Sequence, residues 1–162
     1  MQLTKCPKIL NANRIVKCPA CFNELTKRQV GTLEVDVCQG GCGGIWFDAF
    51  ELQRVDEEEE RAGEHLLEIE HDKSVVVDPS RKRDCPRCEG VKLMRHFFSA
   101  KRRIEVDQCP NCNGYWLDAG ELAAVRAEKA QEQKLGQAAR ATISSETIRY
   151  LYRLQSGSRR AT

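Results

Sequence analysis

Paired cysteines are the residues of this sequence whose type and spacing are suited to chemistry. Eight of the nine cysteines form four close pairs, each with two or three residues between its members. Twenty residues lie between Cys88 and Cys109, a spacing typical of four-cysteine zinc sites. Thiolate sulfurs converge on zinc at about 2.3 Å. We therefore predict two Zn²⁺ ions per chain, with these ligand sets: Cys18, Cys21, Cys38 and Cys42; and Cys85, Cys88, Cys109 and Cys112.

The two ligand sets belong to two copies of one sequence unit, residues 18–52 (repeat 1) and residues 85–122 (repeat 2). Both copies contain Cys–Pro–x–Cys, Val–Asp before the third cysteine, and Trp–x–Asp–Ala–x–Glu–Leu after the fourth. Units of this size usually need a metal or disulfides to be stable. The free energy of zinc binding then becomes free energy of folding.

Short strands must bring the two cysteine pairs of each repeat together. Alternating apolar residues predict strands over 25–30 and 32–37 around Gly31. In repeat 2, Val91 with Leu93 and Ile104 with Val106 indicate the corresponding strands. Each cysteine pair is followed two residues later by Asn or Gly, which we interpret as positive-φ turn residues; they are Asn23, Gly44, Gly90 and Gly114.

A helix is expected directly after each repeat. Asp48 with Glu51, and Asp118 with Glu121, have the spacing of an N-cap and its reciprocal acid. We expect the tryptophans of this motif to cover the metal site or pack on the helix. The predicted fold class is a small metal-stabilised α+β protein, with two tandem zinc ribbons each followed by a helix, and a further C-terminal helix.

Composition divides the chain into five segments. Residues 1–17 are a polar lead-in with the unpaired Cys6, and residues 53–84 are an acidic helical connector and linker between the ribbons at 18–52 and 85–122. Residues 123–162 form a C-terminal helical region with a basic tail. Within it, Ser144 or Ser145 can cap a final helix that has Ile148, Leu151 and Tyr152 on one face.

Net charge gives no general argument for nucleic-acid binding. Eight thiolates and two Zn²⁺ ions would lower the formal charge from +2 to −2. One local patch mixes basic and aromatic residues, as phosphate- and base-contacting surfaces do; it contains Arg95, Phe97, Lys101, Arg102 and Arg103. The same residues also fit a solvated strand face, and both interpretations stay open.

Other function classes find little support. The sequence has no nucleophile–base constellation and no phosphate loop, so we expect no enzymatic activity. No apolar run suggests a signal peptide or a membrane span, which favours a cytoplasmic protein without membrane contact. Cysteine pairs in that compartment are metal ligands more often than disulfides.

The combined motif resembles the transcription factor IIB-type zinc-ribbon family, found widely in prokaryotes. The residues that carry the resemblance are Cys–Pro–x–Cys, the hairpin ending in Val–Asp, the second cysteine pair with its glycine, and Trp–x–Asp–Ala–x–Glu–Leu. The resemblance implies zinc ribbons with four cysteine ligands. In the initiation factor that gives the family its name, the ribbon contacts RNA polymerase, whereas its DNA-binding helical repeats have no counterpart here.

We therefore expect a zinc-binding, non-enzymatic module that recognises protein or nucleic acid in a transcription-related role. A protein partner is favoured over nucleic acid, and the resemblance makes RNA polymerase one candidate. Two alternatives stay open: a redox-sensitive zinc–thiolate switch and a rubredoxin-like iron protein. The oligomeric state and the relative orientation of the ribbons do not follow from the sequence.

Overall fold

The computed structural model describes residues 15–56, 61–142 and 149–150. Within these ranges the chain forms six strands, one 3-10 helix and two α-helices. The strands are β1 (Thr26–Val30), β2 (Leu33–Val37), β3 (Ile45–Phe47), β4 (Met94–Phe97), β5 (Glu105–Gln108) and β6 (Tyr115–Leu117). The 3-10 helix is Leu52–Arg54, and the α-helices are α1 (Arg61–Glu64) and α2 (Glu121–Thr142).

Both repeats contribute to one six-stranded sheet with the order β1-β2-β3-β6-β5-β4. All neighbouring strands are antiparallel, and the repeats meet where β3 pairs with β6. Trp46 lies opposite Trp116 at the centre of that pair, with Ile45 opposite Leu117 and Phe47 opposite Tyr115. The register is symmetric about the two tryptophans, so an approximate two-fold axis relates the repeats.

The first predicted hairpin agrees with the structure, and the second is shifted. β1 and β2 flank Gly31, whose φ of 61° makes the turn. In repeat 2 the first strand begins at Met94, because the residues before it pair with the chain around Cys85 instead. The Cys85 N–H donates to the Val91 carbonyl at 2.8 Å, and the Leu93 N–H donates to the Arg83 carbonyl at 2.9 Å.

The central strands of the sheet are buried on both faces, whereas the edge strands β1 and β4 are largely exposed. On one face, alternate residues such as Val35 and Val37 join a core that draws on both repeats. Leu66 of the connector and Val125 of α2 pack on this core. The opposite face holds the cysteines and both tryptophans in a second cluster.

The helix predicted after repeat 2 is present as α2, which is 22 residues long. The Asp118 N–H donates to the Glu121 carboxylate at 2.7 Å, which is one half of the predicted capping box. The Asp118 carboxylate makes no cap. It accepts a hydrogen bond from Trp116 Nε1 at 3.0 Å and so fixes the tryptophan in its rotamer.

The prediction of an α-helix directly after repeat 1 is wrong. The same hydrogen bond from Asp48 N–H to Glu51 forms at 2.7 Å, but only the 3-10 helix follows. Val55 leaves helical geometry with φ −139° and ψ 0°. Its carbonyl accepts a 2.5 Å hydrogen bond from Arg126 Nη1 of α2. The Val55 carbonyl thus accepts a hydrogen bond from a distant side chain, whereas in a continuing helix it would accept one from a backbone N–H.

The connector is also less helical than predicted. Helix α1 has four residues, and residues 65–82 form turns and irregular chain. Gly63 sits against α2, since a methyl group there would lie 1.9 Å from Arg126 Nη1. The connector is therefore partly docked on the core, although residues 57–60 lie outside the described part.

Several predicted features fall outside the described residues. They include Cys6 and the final helix with Ile148, Leu151 and Tyr152, of which only Arg149 and Tyr150 are described, as helical. Among the helices that the structure describes, none combines the length and the apolar character that crossing a membrane requires.

Replacing Glu121 with Gln is expected to remove a pH-dependent loss of stability. Burial raises the pKa of Glu121 to about 7, so the folded state favours the protonated acid. The free energy of unfolding therefore falls as pH rises from the unfolded value near 4.5 through about 7. A neutral amide has no such titration, and we expect Glu121→Gln to be more stable than wild type at pH 8 by about 1 kcal/mol, allowing for solvent screening.

Urea unfolding at pH 6, 7 and 8, with metal kept in excess, measures this difference. The advantage of the variant should grow with pH over that range. Parallel stability profiles for the variant and wild type would contradict the assignment.

Candidate metal centres

The four sulfurs of repeat 1 lie within 4.8 Å of one another. Cys18 Sγ is 3.5 Å from Cys42 Sγ, and Cys21 Sγ is 3.4 Å from Cys38 Sγ. One pair precedes β1 and the other joins β2 to β3, so the hairpin folds them onto each other. Cys18 and Cys38 are fully buried, whereas Cys21 and Cys42 are half-buried.

Repeat 2 builds the same arrangement. Its four sulfurs also lie within 4.8 Å of one another, with 3.7 Å between Cys85 Sγ and Cys112 Sγ. Asn111 Nδ2 donates to Cys88 Sγ at 3.4 Å. None of the eight cysteines of the two groups forms a disulfide bond.

The sulfur geometry fits a tetrahedral metal ion. A metal–sulfur distance of about 2.3 Å implies sulfur–sulfur edges of about 3.8 Å, close to those in both groups. Hydrogen bonding from Cys85 lowers the pKa of Cys112 to about 5. Hydrogen bonding from Cys18 and Cys42 lowers the pKa of Cys38 to about 2. The same hydrogen bonds raise the pKa of Cys18 and of Cys85, so each group combines a thiolate with thiols that keep their protons. Thiolate is the form that ligates metals, and each group can hold a metal ion.

Backbone amides of the first cysteine pair in each repeat point at sulfur. The N–H groups of Ala20 and Cys21 donate to Cys18 Sγ at 3.3 and 3.4 Å. Those of Arg87 and Cys88 donate to Cys85 Sγ at 3.4 and 3.3 Å. Such bonds spread the negative charge of a thiolate and tune a bound metal.

The turn residues that adopt positive φ differ from those predicted. Of the four residues two positions after a cysteine pair, only Gly90 has positive φ, at 70°. In the other three turns the residue directly after the pair takes this conformation: Phe22 (66°), Gly43 (75°) and Asn113 (59°). The tight cysteine turn thus places its left-handed residue one position earlier, and a non-glycine residue is accepted there twice.

Gly44 and Gly114 serve another purpose, which is to admit the tryptophan of the opposite repeat. A methyl group on Gly44 would lie 2.1 Å from Trp116 Cζ2, and one on Gly114 would lie 2.2 Å from Trp46 Cζ2. The same glycines close the cysteine turns. The Gly44 carbonyl accepts from Cys38 N–H, and the Gly114 carbonyl from Cys109 N–H, both at 2.9 Å. Both tryptophans are fully buried and provide no exposed stacking surface.

The longer turn between Cys38 and Cys42 is held by the connector. Gly40 N–H donates to the Glu70 carbonyl at 2.9 Å, and Asp72 N–H donates to the Gly41 carbonyl at 2.8 Å. His71 is exposed, as are His65 and His96. The candidate ligand groups among the described residues contain no histidine.

Two arginines that sequence reasoning did not single out fix the acids near the sites. Arg83 is buried and pairs with Asp107 and Asp118, both at 2.7 Å. Arg87 reaches across to repeat 1, where it pairs with Asp36 at 2.5 Å and Asp48 at 3.1 Å. The Val–Asp of the repeated motif could have indicated these arginines, because an aspartate on the buried face of a strand needs a cation beside it.

The structure separates the five candidate contact residues. Arg95 pairs with Asp107 at 3.1 Å, and Lys101 lies 3.4 Å from a carboxylate oxygen of Glu132 on α2. Phe97 is 42% exposed, with Arg102 over its ring at 6.0 Å. Arg103 is exposed. The patch is therefore divided into two internally paired cations and three residues open to solvent.

Comparisons with known proteins give one family match. A family model described as transcription factor zinc-finger, the TFIIB-type zinc ribbon, matches residues 17–58 and 84–127. The two matched ranges contain all eight cysteines of the metal centres. Comparisons with curated proteins and with solved structures returned no match.

Gly44→Ala is expected to destabilise the protein by about 3 kcal/mol, because the added methyl group overlaps the Trp116 ring in a packed cluster. Gly136→Ala is the matched control. It lies in α2 with no atom within 4 Å of the added carbon, and alanine there should stabilise the helix by up to about 1 kcal/mol. Denaturant unfolding of the two variants measures both effects. Equal stability of Gly44→Ala and wild type would contradict the tryptophan–glycine contact.

Proposed function

Since this chain belongs to the transcription factor zinc-finger family, we propose that it is a non-enzymatic zinc protein whose two structural sites shape a surface for macromolecular recognition. The observation that supports this most is the pair of four-sulfur groups, each compact enough for one ion. Four protein ligands complete a tetrahedral ion and leave no position for a substrate, as is usual for structural zinc.

Zinc would be held by Cys18, Cys21, Cys38 and Cys42 in repeat 1 and by Cys85, Cys88, Cys109 and Cys112 in repeat 2. When bound, it cross-links the turns that precede and follow each hairpin. The residues of the chain supply the rest: amides directed at sulfur, glycines that close the turns, and tryptophans that cover them.

The purified full-length protein is expected to contain close to two zinc ions per chain and to be colourless. Chelation should expose the buried Trp46 and Trp116 and shift their fluorescence to longer wavelength, because metal binding and folding are linked. Cys21→Ser should lose one zinc, whereas the control Cys6→Ser should keep both. Visible sulfur-to-iron absorption in the isolated protein would instead support the iron alternative.

For the recognition surface we propose the outer edge of β4 and the adjoining turn, defined by Met94, Phe97, Arg102 and Arg103. All four residues of β4 are exposed, and Met94 is 60% exposed. Within the described residues no strand pairs with the outer edge of β4. Such an edge can add an extended segment of a partner through main-chain hydrogen bonds.

A protein partner fits this surface better than nucleic acid. Arg83, Arg87 and Arg95 are engaged in ion pairs within the chain. Arg81 donates to the carbonyls of Pro19 and Ala20. With two zinc ions bound, the formal charge falls below zero. The family resemblance favours the transcription machinery, and RNA polymerase first.

The double variant Phe97→Ala/Arg103→Ala is expected to reduce recovery of RNA polymerase in a pull-down with zinc-loaded protein by at least about tenfold, the usual effect of losing an interface anchor. Lys27→Ala, on the opposite edge strand β1 where its side chain is 63% exposed, is the control and should leave recovery unchanged. Equal recovery with both variants would exclude the β4 edge.

The nucleic-acid branch has its own signature. Binding to single- or double-stranded nucleic acid that weakens steeply with salt, and weakens further in Arg102→Ala/Arg103→Ala, would favour it over the protein partner.

A further inference from the structure

Each cysteine turn depends on a residue of the other repeat. Trp116 lies on Gly44, and the Gly44 carbonyl holds the N–H of Cys38. The two-fold-related contact is the same: Trp46 lies on Gly114, whose carbonyl accepts a hydrogen bond from the N–H of Cys109. The tryptophan of one repeat therefore positions the turn backbone that holds the third cysteine ligand of the other repeat.

Arg87 makes a second connection. It lies between Cys85 and Cys88, and its N–H donates to Cys85 Sγ at 3.4 Å. Its guanidinium binds Asp36 at 2.5 Å, two residues before Cys38 of repeat 1. The same guanidinium binds Asp48, which accepts the indole N–H of Trp46 at 2.8 Å. A change in the first turn of repeat 2 thus reaches both an acid and a tryptophan of repeat 1.

Arg81 makes a third connection from the chain segment just before repeat 2. Its Nη2 donates to the carbonyls of Pro19 and Ala20 at 2.9 and 2.7 Å, inside the first cysteine turn of repeat 1. Its guanidinium also stacks on Phe22 at 4.1 Å from the ring centroid. Two residues later, Arg83 pairs with Asp107 and Asp118 of repeat 2.

We propose that the two sites load zinc cooperatively, so that an ion in one repeat raises the affinity of the other; this rests on the zinc binding proposed above. A loaded repeat holds its glycine, its tryptophan and its strand of the β3–β6 pair in place. The second repeat then orders its turns against a fixed surface rather than a mobile one, and its ion binds with less ordering cost. Linkage requires the effect to be equal in both directions.

Native mass spectrometry of the full chain, titrated with Zn²⁺ after chelation, tests the proposal directly. Independent, equal sites give about half of the molecules with one zinc at half-saturation, whereas a tenfold coupling gives about a quarter. We expect a quarter or less. A one-zinc fraction of about half would overturn the coupling while leaving zinc binding intact, and a chain that binds no zinc would contradict the proposed function itself.

Arg87→Ala tests the route through the arginine, since it removes no ligand. Its one-zinc fraction at half-saturation should rise toward a half while two zinc ions still bind at saturation. Lys92→Ala is the matched control, because Lys92 also lies in repeat 2 but its exposed 2.7 Å ion pair is to Asp84, just before that repeat. This variant should keep the wild-type distribution. A wild-type distribution in Arg87→Ala would exclude Arg87 as a connection.

Cys109→Ser/Cys112→Ser tests the reciprocal effect by removing two ligands of repeat 2. Competition with a chelator should show at least a fivefold lower zinc affinity of repeat 1 in this variant. An unchanged affinity would overturn the proposal. Should the variant fail to fold, the wild-type distribution alone decides, because it requires no substitution.

Discussion

The contact between each tryptophan and the glycine of the opposite repeat determines most of this structure. An indole ring buries a large apolar area, and it can approach the main chain closely only where no Cβ intervenes. With Gly44 and Gly114 in place, β3 and β6 come within pairing distance and two three-stranded halves become one sheet. That sheet then separates an apolar core, closed by α2 and the connector, from the layer that contains the cysteines.

Features that depend on nearby residues could be predicted from the sequence, whereas features that depend on contacts between distant residues could not. Cysteine spacing pointed to the two sulfur clusters, and alternation pointed to β1 and β2, because both patterns are fixed by geometry within one repeat. Strands β3 and β6 have three residues each, too few for a period to emerge. Gly44 was attributed to turn conformation, since a sequence cannot show that a ring 72 residues away needs the space. The missing first helix likewise depends on a distant donor, Arg126.

Symmetry holds for the acids and fails for the cations that neutralise them. Asp36 and Asp107 occupy equivalent positions, as do Asp48 and Asp118. Both arginines, however, come from one stretch of chain: Arg83, just before repeat 2, pairs with acids of repeat 2, whereas Arg87, inside repeat 2, pairs with acids of repeat 1. A buried carboxylate without its partner is costly. Repeat 2 therefore has counter-ions within its own sequence and directly before it, Arg95 and Arg83, whereas the acids of repeat 1 depend on an arginine of repeat 2.

The position of β3 in the sheet has a consequence for biosynthesis. Ile45, Trp46 and Phe47 are buried in the finished sheet, but their partner strand β6 is translated some 70 residues later. During that interval the nascent chain presents an apolar strand with an open edge, the kind of surface that recruits other chains. The speed of translation through the connector thus sets how long this open edge is exposed to other chains.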